Sequence, residues 1–280
     1  MMKDRILSEI ISAPNQIIGQ LPLTFEEYAF LLFPGKLYGD RYVYDRAKHK
    51  SVMNKLATEI SDKGAQFVHK AGMAYALKIT SKRDLFIEPK KHIDALKYSY
   101  EKICTQPVEL YTKAIGFGFT GMVFKYERNK VAKIAYNNIK ENEYILWNYQ
   151  MENRRTCFPE IHYVDKDIVI MEEVKTTSDK LMRFKSYIDK YVSLNFMEEI
   201  SYRTLNSPIE SLPCDFQQFI NEIQTSLYKV FNIRCIGDIK IENIGQRFST
   251  GEIVMFDPIG GTIDYNKRIS MFKSSSGVKK

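Results

Sequence analysis

Apolar residues along this chain follow two successive rhythms, and the change between them lies near Tyr111. Before it the rhythm is mainly helical. Thr24 and Glu27 have capping-box spacing, and Tyr28, Leu31 and Leu32 follow on one face, which predicts a helix. A second helix is predicted from Arg46 to Ile60, ended by Asp62-Lys63-Gly64. Phe67 to Ile79 and Arg83 to Glu88 are apolar enough to read as strands joined around Thr80-Ser81-Lys82. Helix followed by hairpin resembles a winged-helix module. Residues 1–105 are on this reading a mostly helical accessory domain with its own core.

After Tyr111 the pattern shortens to strands. Met122 to Tyr126 and Lys130 to Ile134 flank a turn at Arg128-Asn129, the pattern of a hairpin. A helix is predicted from about Asn138 to Tyr149, carrying Ile139, Tyr144, Leu146 and Trp147. His162 to Val164 and Ile168 to Met171 read as two strands turning at Asp165-Lys166-Asp167. Phe216, Phe219, Ile220, Ile223, Leu227, Val230 and Phe231 then recur at helical spacing and predict a long buried helix. The predicted order is five strands with one helix, then a mainly helical part.

Composition narrows the classes. At 280 residues there is room for one large domain or two smaller ones. A chain 44% hydrophobic and 13% aromatic can build real cores, which excludes wholesale disorder. No apolar run approaches a membrane span, and the stretch after Met1-Met2-Lys3-Asp4-Arg5 is broken at Pro14 without the apolar centre of a secretory signal. Cys104, Cys157, Cys214 and Cys235 are scattered without a CxxC pair, as for reduced thiols in a cytoplasm. His49, His69, His92 and His162 have no metal-ligand spacing with a cysteine, which argues against zinc. The net charge of +7 is uneven: residues 1–105 hold 17 Lys and Arg against 12 Asp and Glu, and the tail from Tyr265 carries five basic residues and no acid. Basic flanks suit nucleic acid, acidic protein partners or solubility alone, and no aromatic-basic motif singles out nucleic acid.

The chemistry lies in an ordered series of motifs. Gly116-Phe117-Gly118-Phe119-Thr120-Gly121-Met122-Val123 has the GxGxxGxV form that lets backbone amides approach phosphate oxygens. Phe119 would sit near the loop tip and Val123 on an adenine. The residues after it, Val123 to Tyr126, read as strand, which disfavours a dinucleotide-binding fingerprint. Val131-Ala132-Lys133 follows, with Lys133 on a strand and able to reach the α- and β-phosphates. Its partner carboxylate is sought on the next helix, at Glu141 or Glu143, and Glu143 lies nearer the face defined by Ile139, Tyr144 and Trp147.

Asp238-Ile239-Lys240-Ile241-Glu242-Asn243 is the strongest piece. An aspartate can take the proton of an attacking hydroxyl, a lysine two residues on can neutralise a transferring phosphoryl group, and an asparagine five residues on can hold magnesium. Asp257, leaving the strand-like Ile253 to Phe256, supplies a second metal ligand.

These residues resemble the eukaryotic-type protein kinase superfamily over residues 111–262. Asp238 to Asn243 look like the D-L-K-P-E-N catalytic loop, and Asp257-Pro258-Ile259-Gly260 stands where D-F-G is expected. The resemblance implies an α+β, bilobal fold, with a five-stranded lobe over 106–174, a shortened helical lobe over 175–264 and a basic tail over 265–280. It implies an ATP- and Mg²⁺-dependent serine/threonine protein kinase acting on protein substrates. Asp238 would be the base, Lys240 the phosphate contact, Lys133 and Glu143 an ion pair, and Asn243 and Asp257 the metal ligands. Gly116, Gly118, Phe119, Gly121, Val123 and Val131 would line the nucleotide, with Met171 as gatekeeper and the backbone of Glu172 to Val174 reading the adenine edge.

Ile236-Gly237 replaces the usual His-Arg, and Arg234 is too far back to stand in for the arginine. Only 23 residues follow Asp257, without an A-P-E motif, so the peptide platform is expected to be missing or built from elsewhere, from residues 175–215 or from the N-terminal region. Such a shortened kinase resembles the compact serine/threonine kinases of some bacteriophages, which would place it in the host cytoplasm. Gly237-Asp238 also resembles the H-G-D loop of aminoglycoside and choline-type phosphotransferases. A nucleotide-binding pseudokinase is a further alternative.

Overall fold

Thr24 opens the first helix through the reciprocal bonds that its spacing predicts. In the computed structural model of the chain, Thr24 Oγ1 accepts from the Glu27 amide at 3.2 Å, and Glu27 Oε2 accepts from the Thr24 amide at 2.9 Å. α1 (Phe25–Leu32) follows, burying Tyr28, Leu31 and Leu32. The structure describes residues 21, 23–33, 35–38, 41–77, 93–104, 108–117, 121–136, 141–197, 200–232 and 235–258. Over these residues the protein is α+β, with several small sheets.

β1 (Gly35–Tyr38) and β2 (Arg41–Tyr44) form an antiparallel hairpin. α2 (Arg46–Ile60) has the predicted bounds, with Val52, Leu56 and Ile60 buried at helical spacing. The next segment corrects the sequence reading. Ser61, at φ 83°, reverses the chain, and its hydroxyl accepts from the Gly64 amide at 3.3 Å. Asp62-Lys63-Gly64 therefore start a new helix, α3 (Asp62–Ala76), instead of leading into a strand. Its buried positions include Ala65, Val68, Ala71, Gly72 and Ala76, a helical period whose small members give little hydropathy signal. The strand expected over Arg83 to Glu88 lies outside the described residues. Among the described residues of this region the hairpin is β1–β2, ahead of α2.

α4 (Ile93–Cys104) and α5 (Val108–Lys113) complete this helical region. Its core joins Tyr28, Leu31, Leu56, Ile60, Phe67, Val68, Leu96 and Ile103. A buried polar chain crosses it: Tyr28 Oη and Ser99 Oγ are 2.6 Å apart, and Ser99 Oγ donates to the Gly72 carbonyl at 2.6 Å. Burial pushes the Tyr28 hydroxyl pKa far above its ordinary value, so it stays a neutral donor.

β3 (Gly116–Phe117), β4 (Gly121–Lys125), β5 (Lys130–Ala135), β6 (Ile161–Val164) and β7 (Ile168–Glu172) form a sheet in the order β3-β4-β5-β7-β6. Five strands are what the pattern predicts. Asn129 supplies the left-handed turn (φ 62°) before β5, and Asp165 closes the β6–β7 turn by donating its amide to Ile168 O at 2.8 Å. α6 (Glu141–Asn153) buries Leu146 and Trp147, and Trp147 stacks edge-on against Phe158.

The part after Val174 holds more strand than expected. β8 (Val174–Lys175) joins β11 (Ile244–Arg247) and β12 (Ile253–Met255) in an antiparallel sheet, and β9 (Val192–Met197) pairs with β10 (Ile200–Leu205) as a hairpin. α7 (Asp179–Tyr191) and α8 (Cys214–Phe231) meet through Phe184, Phe216 and Phe219. The long buried helix predicted from Phe216 to Phe231 is α8.

The chain divides into two compact units. One comprises Met1–Tyr126 with Lys133–Asn137, the other Glu127–Ala132 with Asn138–Lys280. Among the described residues no helix is long and apolar enough to cross a membrane.

Candidate active site

Two buried isoleucines fix the segment that carries Asp238. Ile236 is 3% exposed and Ile239 is fully buried, so the residues between them are held at a set depth. Gly237 has φ 65°, and a Cβ there would stand 2.5 Å from the Pro258 carbonyl oxygen. That approach lets the Asp238 amide donate to Pro258 O at 2.8 Å. Gly237 thus has a backbone role of its own where the kinase pattern has arginine.

The side chains then converge. Lys240 Nζ lies 2.9 Å from Asp238 Oδ2. Asn243 is 4% exposed, and its Nδ2 donates both to the Asp238 carbonyl at 2.8 Å and to Asp238 Oδ2 at 3.1 Å. A short 3₁₀ turn, Ile241–Asn243, supplies the curvature, with the Asn243 amide donating to Lys240 O at 3.0 Å. From Asn243 the chain enters β11, which pairs with β12 from Ile244↔Met255 onward. The Phe256 amide donates to Asn243 O at 2.9 Å, which joins the exit of β12 to the end of the Asp238 segment. Asp257, partly buried, follows directly. Asp238, Lys240 and Asn243 are thus brought together, and the Asp257 segment is tied to theirs by backbone bonds on both sides.

The sequence reading missed Arg203. From β10, its Nε stands 3.6 Å from Asp238 Oδ1, with the two side chains 20% and 16% exposed. The pair spans 35 residues of chain and depends on the β9–β10 register, which no local motif announces.

The other expected residues divide between the units. Gly116, Gly121, Val123 and Lys133 belong to the first. Gly116 pairs with Val123 across β3 and β4, as the glycine-rich hairpin requires, while Gly118 and Phe119 lie outside the described residues. At Gly121 a Cβ would collide with the Ile134 carbonyl, so this glycine serves the close approach of β4 to β5. Lys133 is half-buried between Ala132 and Ile134, both buried.

In the second unit, Val131 is 8%, Glu143 2% and Met171 4% exposed. Burial distinguishes Glu143 from a solvated helix acid; the Glu141 side chain lies outside the described residues. The Glu172 amide donates to Glu160 O at 2.9 Å and the Glu173 amide to Asn129 O at 2.8 Å, so neither is spare for an adenine edge. The Glu172 carboxylate is bound by Arg247, and Val174 is paired to β11. This narrows what Glu172 to Val174 can offer a nucleotide base.

The donor set suits magnesium in type. Asn243 spends its amide hydrogens on Asp238, which leaves its carbonyl oxygen, and Asp257 adds carboxylate oxygen; hard cations of this size take oxygen ligands and retain water. Among the described residues no group of three His, Cys, Asp or Glu could hold a metal ion. Burial pushes the Cys157 and Cys104 thiols each up to about 12, which removes both as thiolate nucleophiles at neutral pH. A cavity of about 700 Å³ is lined by Arg154, Arg155, Gln217, Gln218, Asn221 and Glu222, and none of the expected site residues borders it. Compared with known protein families, curated proteins and solved structures, the chain matches none.

Proposed function

We propose that this chain is an ATP- and Mg²⁺-dependent serine/threonine protein kinase with a bilobal kinase-like arrangement. The observation that carries the reading is the Asp238 carboxylate, gripped by Lys240 at 2.9 Å and Asn243 at 3.1 Å in a loop whose amide binds Pro258 O. A carboxylate so fixed can accept the proton of an attacking hydroxyl without reorganising. The hydroxyl oxygen forms its bond to the γ-phosphorus as the bond to the β–γ bridging oxygen breaks, and the hydroxyl proton passes to Asp238.

The Lys240 ammonium stands beside that carboxylate and neutralises charge on the moving phosphoryl group. Asn243 and Asp257 are the oxygen ligands for magnesium, and Lys133 with Glu143 is assigned to the α- and β-phosphates. ATP with magnesium, when bound, supplies the transferable group and its counter-charge. Gly116, Gly118, Phe119, Gly121, Val123, Val131 and Met171 are assigned to the nucleotide by the motif alone.

The test is incubation of purified protein with γ-labelled ATP, magnesium and cell lysate. Label should enter proteins on serine or threonine, and Asp238→Ala should lower it by about a hundredfold or more. Label confined to small molecules would assign the chain to the aminoglycoside-type phosphotransferases instead. An Asp238→Ala protein that still transfers at the wild-type rate would sink the base assignment.

A further inference from the structure

The Asp238 carboxylate is used unevenly. Oδ2 takes Lys240 Nζ at 2.9 Å and the Asn243 amide at 3.1 Å, whereas among the described residues Oδ1 meets only Arg203 Nε, at 3.6 Å. At that separation the contact is an ion pair without a hydrogen bond. Arg203 Nε is itself buried and makes no hydrogen bond among the described residues. A guanidinium carries five N–H donors in a rigid fork, and here the Arg203 side chain is 20% exposed beside one counter-charge, the Asp238 carboxylate. Its Nε is under-supplied with acceptors, and an incoming oxyanion would meet that shortage.

The placement is firm. Arg203 pairs with Leu194 across the β9–β10 hairpin, and beside it Asn195 Nδ2 donates to Thr204 Oγ1 at 2.7 Å. The base of the hairpin is tied to α7 by the Asn206 amide donating to Tyr191 O at 2.9 Å, and α7 packs on the Ile241–Asn243 turn. The fork is thus held beside the one oxygen of Asp238 that Lys240 and Asn243 do not occupy.

We infer that Arg203 recognises a carboxylate on the acceptor, next to the hydroxyl presented to Asp238, so that the favoured acceptors are serine or threonine sites in acidic sequence. This rests on the kinase reading. On that reading the acceptor hydroxyl would come to Oδ1, the oxygen that Lys240 and Asn243 leave open. A carboxylate one or two residues from that hydroxyl then lies against the Arg203 fork. Arg203 is here a specificity residue, and the proton and phosphoryl group move as already described.

The experiment compares serine peptides flanked by glutamate with matched peptides flanked by alanine, using γ-labelled ATP and magnesium. The wild-type protein should favour the glutamate peptide through KM by about tenfold, the worth of one charge-assisted bond pair. Arg203→Met should raise KM for the glutamate peptide and collapse the KM ratio, any change in kcat being common to both peptides, and Arg203→Lys should keep part of the preference. An equal fall of kcat on both peptides, with KM unchanged, would make Arg203 a brace or a phosphoryl contact and overturn the assignment. So would a wild-type protein that labels both peptides equally. If the wild type labels no peptide and no lysate protein, the kinase reading falls and this assignment with it. Urea unfolding of both variants checks that the fold persists.

Discussion

The core of the helical unit and the loop around Asp238 both contain polar groups drawn out of water, but they treat them differently. Tyr28, Ser99 and the Gly72 carbonyl form a neutral chain at 2.6 Å and 2.6 Å, enclosed by apolar side chains. Around Asp238, two cations and an amide converge on one carboxylate, and one of its oxygens is only loosely engaged. A neutral, satisfied network specifies packing. A charged, partly open one retains capacity for a ligand, which is the usual physical mark of a site.

The two regions therefore fail differently. Leu31 is fully buried in the helical core, and Leu31→Ala should cost about 2–5 kcal/mol in urea unfolding, the range for a buried leucine. The Asp238 loop has no comparable apolar filling to lose at its charged side chains. A loss under about 1 kcal/mol for Leu31→Ala would mean that the helical core is not packed as described.

What was legible in the sequence follows the same line. The Thr24–Glu27 cap and the bounds of α2 depend on residues within a turn or two of each other, and both could be read directly. α3 could not, because its buried face relies on Ala65, Ala71 and Gly72, small residues with little hydropathy signal, of which Gly72 lets Tyr28 and Leu32 of α1 come close. Phe67 and Val68 then gave the stretch a strand-like look. Asp238, Lys240 and Asn243 were legible because a six-residue motif closes on itself. Arg203 was not, since its position beside Asp238 is set by a distant hairpin register.

A smaller effect sharpens the contrast from the side of the loop. Gly237→Ala leaves every charged group in place, yet it adds a methyl 2.5 Å from Pro258 O at a φ of 65°. The strain should cost about 1–3 kcal/mol and pull the Asp238 amide from Pro258 O, so the proposed phosphoryl transfer should fall while the helical core is untouched. Full activity with wild-type stability would show that the loop tolerates displacement and that the Asp238 geometry is not held by its backbone.

The smallest effect concerns pH, and it belongs to the helical unit. His69 on α3 lies with its ring centroid 6.0 Å from that of His49 on α2. Burial holds the His69 pKa below its ordinary 6.5, with His49 and Lys70 adding to the depression. The unfolded chain therefore takes up this proton first as pH falls. The stabilisation from keeping His69 neutral is present above pH 6.5 and is lost as pH falls from there through the lower folded value. Urea midpoints measured in neutral and mildly acidic buffer should drop more for the wild type than for His69→Gln, which has no proton to take up. Equal drops would place the acid sensitivity in other groups.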